Sequence, residues 1–151
     1  MSMFSAFDIN ASGLTAQRYR MDIISENVAN ANTTRTADGS GSPYRRKVVT
    51  FEEKGGQTSF SRVLGKAAYS HGYTGQGVKV SGVYKDYKTE MNMVYDPSHP
   101  DADENGYVTY PNVNIITEMT NLIDASRAYE ANSTAFNASK AIALKGLELG
   151  Q

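Results

Sequence analysis

Apolar residues recur at about every seventh position at both ends of this chain, and a glycine- and tyrosine-rich stretch separates the two runs. Near the start Phe7, Leu14, Met21 and Val28 stand seven apart, with Ala11, Ile24 and Ala31 in the neighbouring turns. Near the end Ile115, Met119, Leu122, Ser126, Tyr129, Ser133 and Phe136 step by four and three, and Ala143 and Leu147 extend the series past Lys140. A 3.5-residue period held this long marks helices that pack lengthwise against other helices. The expected fold is therefore α+β: long N- and C-terminal helices paired as a coiled coil, with a small antiparallel β-rich region between them. The expected division is a helix over 1–33, a β-rich middle over 34–110, and a second helix over 111–151 that pairs with the first.

Composition narrows what such a chain can do. Once two long helices are set aside, the 151 residues leave only about 80 for a core of their own. Fifteen basic against sixteen acidic side chains leave no surplus positive charge for phosphate backbones, so nucleic acid is not an expected partner. There is no cysteine, which excludes disulfides and thiolate metal sites. No apolar run approaches the length of a membrane span. The opening MSMFSAFDINASG has neither a basic n-region nor a long apolar h-region, so no cleaved signal peptide is expected.

Along the chain, Asp8 or Asn10 is placed to cap a first helix running to about Ala31. Asn27, Asn30 and Asn32 crowd its last turn, where their amides either cap the fraying end or bond to neighbouring subunits. Residues 33–42 read as a loop and YRRKVVTFEE as a strand; residues 55–77 have no regular period. Val78, Val80 and Tyr84, then Thr89, Met91, Met93 and Tyr95, then Tyr107, Val108 and Tyr110 read as strands of a small antiparallel sheet, the first two joined near Asp86. Pro97 and Pro100 stiffen the DPSHP loop. Asn112 or Asn114 caps the second helix, and Glu118 lies near its positive end.

Three motifs imitate chemistry. Asp101, Asp103, Asn105 and Gly106 match the first half of a calcium loop, but Asn112 stands at the twelfth position where a bidentate glutamate is needed. An Asx-type turn ahead of a strand fits the segment better. His71 and His99 lie on different loops, without a second ligand at helical spacing. The acceptor pattern N-x-[ST] at Asn10, Asn32, Asn132 and Asn137 falls mostly within the expected helices. GYTGQG does not open a helix and so makes no dinucleotide loop, and no nucleophile-base pairing emerges. No catalytic residue, cofactor or metal is expected.

Specific residues carry a family resemblance. SGLTAQRYRMDIISENVANANTT resembles the first-helix pattern of bacterial flagellar rod and hook proteins, through Leu14, Ala16, Arg20, Ser25, Asn27, Val28, Ala29, Asn30 and Thr33. PNVNIITEMTNLIDASRAYEANSTAF resembles that family's closing helix, through Pro111, Asn112, Val113, Glu118, Met119, Ile123, Ala125, Ser126, Arg127, Tyr129, Glu130 and Asn132. The stretch YDPSHPDADENGYV points within the family to the proximal rod. Many relatives run from the asparagine-rich turn directly into their next aromatic-basic segment, whereas here Thr34, Arg35 and a loop precede Pro43-Tyr44-Arg45-Arg46.

The resemblance implies a structural subunit of the flagellar basal body, arranged helically as drive shaft and export channel, which passes torque from motor to hook. It implies export by the flagellar type III system without a cleaved signal. The implied partners are copies of itself, other proximal and distal rod proteins, and the export gate or membrane-ring adaptor. Its site is the surface between subunits: Phe7, Leu14, Met21, Ile24, Asn27, Val28, Asn30, Asn32, Ile115, Met119, Leu122, Ser126, Arg127, Tyr129, Asn132, Phe136 and Leu147. A secreted or soluble coiled-coil adaptor is the other class that the helices fit.

Overall fold

The computed structural model describes residues 3–36, 41–54 and 75–148, with side chains from Ser5 onward. Two helices enclose the sequence: α1, Met3–Ala29, and α2, Ile115–Glu148. At 1.5 Å per residue they are about 40 and 51 Å long. They run antiparallel along each other, as the cross-contacts show. The Phe7 ring meets the Phe136 ring edge-on at 5.2 Å, Gly13 lies against Asn132, and Asn27 bonds to Glu118. At Gly13 a methyl group would stand 2.9 Å from the Asn132 amide oxygen, so the Asn132 side chain lies directly over the glycine.

Helix α1 starts well before Asp8 and Asn10, the expected caps, because its pairing surface extends back at least to Phe7. Helix α2 begins where expected. Asn114 is its cap, accepting from the Thr117 amide at 3.2 Å, while Asn112 is used elsewhere. The expected series on α2 holds in part. Leu122, Ser126, Ser133, Phe136 and Ala143 are half-covered, and Glu118, Ala125, Asn132 and Ser139 share the covered side with them, whereas Ile115, Met119, Tyr129 and Leu147 stand exposed.

Among the described residues four strands lie between the helices: β1, Lys47–Glu53; β2, Val78–Lys85; β3, Asn92–Tyr95; and β4, Tyr107–Tyr110. They form two separate antiparallel pairs, β1 with β2 and β3 with β4, which corrects the expectation of a sheet joining β2 to the strands after it. The reason lies at Asp86. Its carboxylate accepts from the amides of Lys88 and Thr89 and from the Thr89 hydroxyl, and so takes up groups that a continuing strand would offer a partner. Thr89 and Met91, expected in a strand, fall in this turn and its exit.

The first hairpin lies on α1. Ser12 Oγ donates to the Ile9 carbonyl and accepts from the Val78 amide at 3.0 Å. Gly77, at φ 93°, comes so close that a Cβ would stand 2.2 Å from that hydroxyl oxygen. The hairpin's connection, the irregular segment from residue 55, and His71 fall on residues 55–74, outside those described.

The described ends of the loop 34–43 come together. The Tyr44 amide donates to the Thr33 carbonyl at 3.0 Å, and the Thr36 amide to that of Ser42 at 3.0 Å. The chain therefore resumes at Tyr44 where it left at Thr33. Ala31, Tyr44 and Val113 form a small apolar cluster at this point.

Candidate functional site

Three polar side chains, Asn27, Asn112 and Glu118, are buried among the described residues, and they gather where the end of α1, the segment 44–47 and the start of α2 meet. Asn27 is 0% exposed. Its amide nitrogen donates to the Lys47 carbonyl at 2.8 Å and to Glu118 Oε2 at 3.0 Å. Its amide oxygen accepts from the Tyr44 hydroxyl at 2.8 Å and the Lys47 amide at 2.9 Å. Two donors and two acceptances use the full capacity of a carboxamide, so its burial leaves nothing unpaired.

Glu118, 1% exposed, completes the cluster. Its Oε1 accepts from Arg46 Nε at 2.9 Å and Nη2 at 2.7 Å. A charged pair this far out of water holds only when its other polar atoms are also engaged, and here Asn27 donates to the second carboxylate oxygen. Arg46 also has Asp86 within 3.6 Å. Asn112 ties the same strand from the other side, accepting from the Arg46 amide at 2.9 Å and donating to the carbonyls of Asp86 and Thr89. Burial, with the charges of Glu26 and Glu118 behind it, pushes the Tyr44 hydroxyl up to about 12.

A second contact fastens the loop before β4 to the exit of α1. Asp101 accepts from the Thr34 hydroxyl at 2.6 Å and pairs with Arg35. The Thr34 bond, and then the Arg35 charge, hold its carboxyl below the usual range. Asp103 forms the expected Asx turn, accepting from the amides of Asn105 and Tyr107. His99 Nδ1 accepts from the Asp101 amide. Among the described residues no group of three or more histidine, aspartate or glutamate side chains is placed to hold a metal.

The expected site residues divide into two sets. Ile24 and Asn27 are buried, and Phe7, Leu14, Met21, Val28, Leu122, Ser126, Asn132 and Phe136 are half-buried. Asn27 neither caps the helix end nor faces outward, which corrects both readings of its amide; it belongs to the interior of its own chain. Asn30 does close the helix end, donating to the Glu26 carbonyl and accepting from Thr33. Asn32, Ile115, Met119, Arg127, Tyr129 and Leu147 stand exposed. The reading missed Arg46, Tyr44, Asn112 and Ile116 as members of the site. Ile116, 78% exposed, forms an outer apolar strip on α2 with Met119 and Ile123. Beyond Ala143, Leu144 and Leu147 are 52% and 68% exposed.

A chain with its two ends packed side by side, a buried polar joint and an apolar outer face is built to be stacked with others. Residues 7–35 match the family described as flagella basal body rod protein. Residues 104–149 match the C-terminal family of flagellar basal body rod FlgEFG proteins. The chain is 46% identical to the flagellar basal-body rod protein FlgC of Bacillus subtilis, over the full length of both. It is 43% identical to that of Borreliella burgdorferi, over all of this chain and 99% of the relative. With that of Salmonella typhimurium it shares 40% identity over the full length of both. The chain belongs to the FlgC family of flagellar basal-body rod proteins. It is a structural subunit of the rod in the flagellar basal body. No described helix is long and apolar enough to cross a membrane.

Proposed function

We propose that this subunit builds the proximal part of the rod as a helically repeated element. Residues 1–33 and 111–151 form its coiled-coil unit along the axis, and residues 34–110 face outward. The observation that carries this reading is the exposed apolar surface of α2. Ile116, Met119 and Ile123 on the outer face, and Leu144 and Leu147 near its end, lie in water in the single chain. Soluble single proteins rarely leave such strips uncovered. Neighbouring copies and other rod proteins cover them in this reading, through contacts that repeat without closing on themselves. The export gate or membrane-ring adaptor meets the lower end. No catalytic step is assigned.

The subunit in this view travels unfolded through the flagellar type III channel and pairs its helices afterwards. The heptad faces then matter after export, not during it. Basal bodies from cells carrying Leu122→Asp, whose leucine is half-buried on the α1-facing side of α2, should stop at this subunit and lack a hook. The variant should still be exported. Normal rods and normal swimming would refute the reading and favour a coiled-coil adaptor.

A further inference from the structure

The apolar pairing of α1 with α2 does not define one alignment. Phe7, Leu14, Met21 and Val28 stand at intervals of seven, and so do Leu122, Tyr129, Phe136 and Ala143. Sliding one helix along the other by seven residues sets the same heptad positions opposite one another again, with Tyr129, at the rim, or Ala143 in the place of Phe136. Such a slip displaces α2 by about 10 Å. Contacts at the far end discriminate little, since Gly13 against Asn132 and Asn10 against Ser139 at 3.5 Å are small or weak. The choice must be made elsewhere.

We propose that the Arg46–Glu118 pair, seated on Asn27, sets the register in which α1 and α2 pair. In any slipped alignment Glu118 loses the Asn27 amide, and Arg46 can no longer reach it from the strand that Asn27 itself anchors through Lys47. A buried carboxylate would be left without donors. Buried polar groups fix alignment in other paired helices for the same reason: the mismatched state strands them. Arg46 and Glu118 are therefore positioning residues. They act as a length gauge, because the register decides how far Leu144 and Leu147 stand from the anchored end. The consequence for assembly rests on the rod reading; the register itself does not.

The chain has no cysteine, so pairs of cysteines report alignment without interference. Gly13→Cys with Asn132→Cys reads the native register, since a Cβ at Gly13 meets the Asn132 side chain. Gly13→Cys with Ala125→Cys, or with Ser139→Cys, reads a slip of one heptad in either direction. In the native state those pairs lie roughly 10 Å out of line, beyond disulfide reach. The purified full-length chain is oxidised in the native background and in Arg46→Met/Glu118→Leu, with helix content followed by circular dichroism. The native background should close only the native pair. The double variant should keep its helices and close a slipped pair in a fraction at least comparable to the native one. A helical double variant that closes only the native pair overturns the proposal. Loss of helix in the double variant overturns it as well, because the cluster would then hold the helices together instead of aligning them. Neither result bears on whether the native chain enters the rod, which isolated basal bodies read separately.

Discussion

The two ends of the helix pair invert the usual arrangement in opposite ways. Where α1 finishes and α2 begins, charged and amide groups are buried and saturated by their own chain. Toward the last turns of α2, large apolar side chains stand in water. The outer faces of the helices differ in the same sense. Helix α1 exposes Asp8, Thr15, Arg18, Asp22 and Ser25 with Tyr19 as its one exposed large apolar side chain among the described residues, whereas α2 exposes Ile116, Met119 and Ile123 beside its polar residues. The comparison teaches that the polar joint is completed within the subunit, whereas apolar side chains of α2, both beside that joint and near its last turns, are left uncovered by the chain itself.

The largest expected effect falls on the closed end. Glu118→Leu leaves the Arg46 guanidinium facing an apolar wall, and should destabilise the folded chain by about 3–5 kcal/mol. Urea denaturation followed by circular dichroism measures it. A loss below about 1 kcal/mol would mean that the cluster is wetter than its burial implies, and the contrast between the ends would collapse.

A smaller effect is set by pH. The Tyr44 proton is held to about 12 in the folded chain against 10.0 in the unfolded one. Folding thus favours the protonated phenol. Its contribution is fully present below pH 10 and fades as the pH rises toward 12, amounting to about 2–3 kcal/mol across that window. Tyr44→Phe has no such proton to lose, and its urea midpoint should decline less over the same range. Parallel decline in both proteins would remove Tyr44 from the buried cluster.

On stability the smallest effect is expected at the open end. Leu147→Asp places a charge where the chain itself offers little cover, so the purified subunit should stay within about 0.5 kcal/mol of the parent. Motility should nevertheless be lost, because a carboxylate would be pressed into an apolar contact between subunits. A swimming strain with normal rods would show that this end is solvent-exposed in the rod too. A large fall in monomer stability would show that the chain covers Leu147 itself.

How far the sequence revealed this division follows from the distances over which it is written. Heptad spacing operates over three or four residues, so both helices could be read directly, whereas the covered side of α2 was legible only in part, since Ile115, Met119, Tyr129 and Leu147 stand exposed. The Asx turn at Asp103 and the cap at Asn114 are equally local. The polar joint is different. Asn27 meets Lys47 across 20 residues and Glu118 across 91, and Arg46 meets Glu118 across 72. No periodicity links such positions. Glu118 therefore read as a helix-dipole residue, and Asn27 as a cap or a contact to a neighbouring subunit, whereas the two bond to each other inside the chain. One available signal was three polar residue types, Asn27, Arg46 and Glu118, bordering apolar runs where alanine or leucine would pair helices more simply. The joining of β2 to β3 into a sheet failed for the reverse reason, since the alternating pattern ran through Thr89 and Met91 but the carboxylate of Asp86 had already turned the chain.

The bond between Thr33 and Tyr44 has a consequence for how such a subunit can change over time. Past Thr34 and Arg35, which are tied to Asp101, it leaves residues 36–43 as an insertion whose length is decoupled from the alignment of the helices. Each doubling of a closed flexible loop costs only about 0.6 kcal/mol in chain entropy. Residues can thus be gained or lost there one at a time, or a whole folded module grafted in, while the helices on either side keep their spacing. A lineage can decorate the outside of its rod at this point without redesigning the shaft.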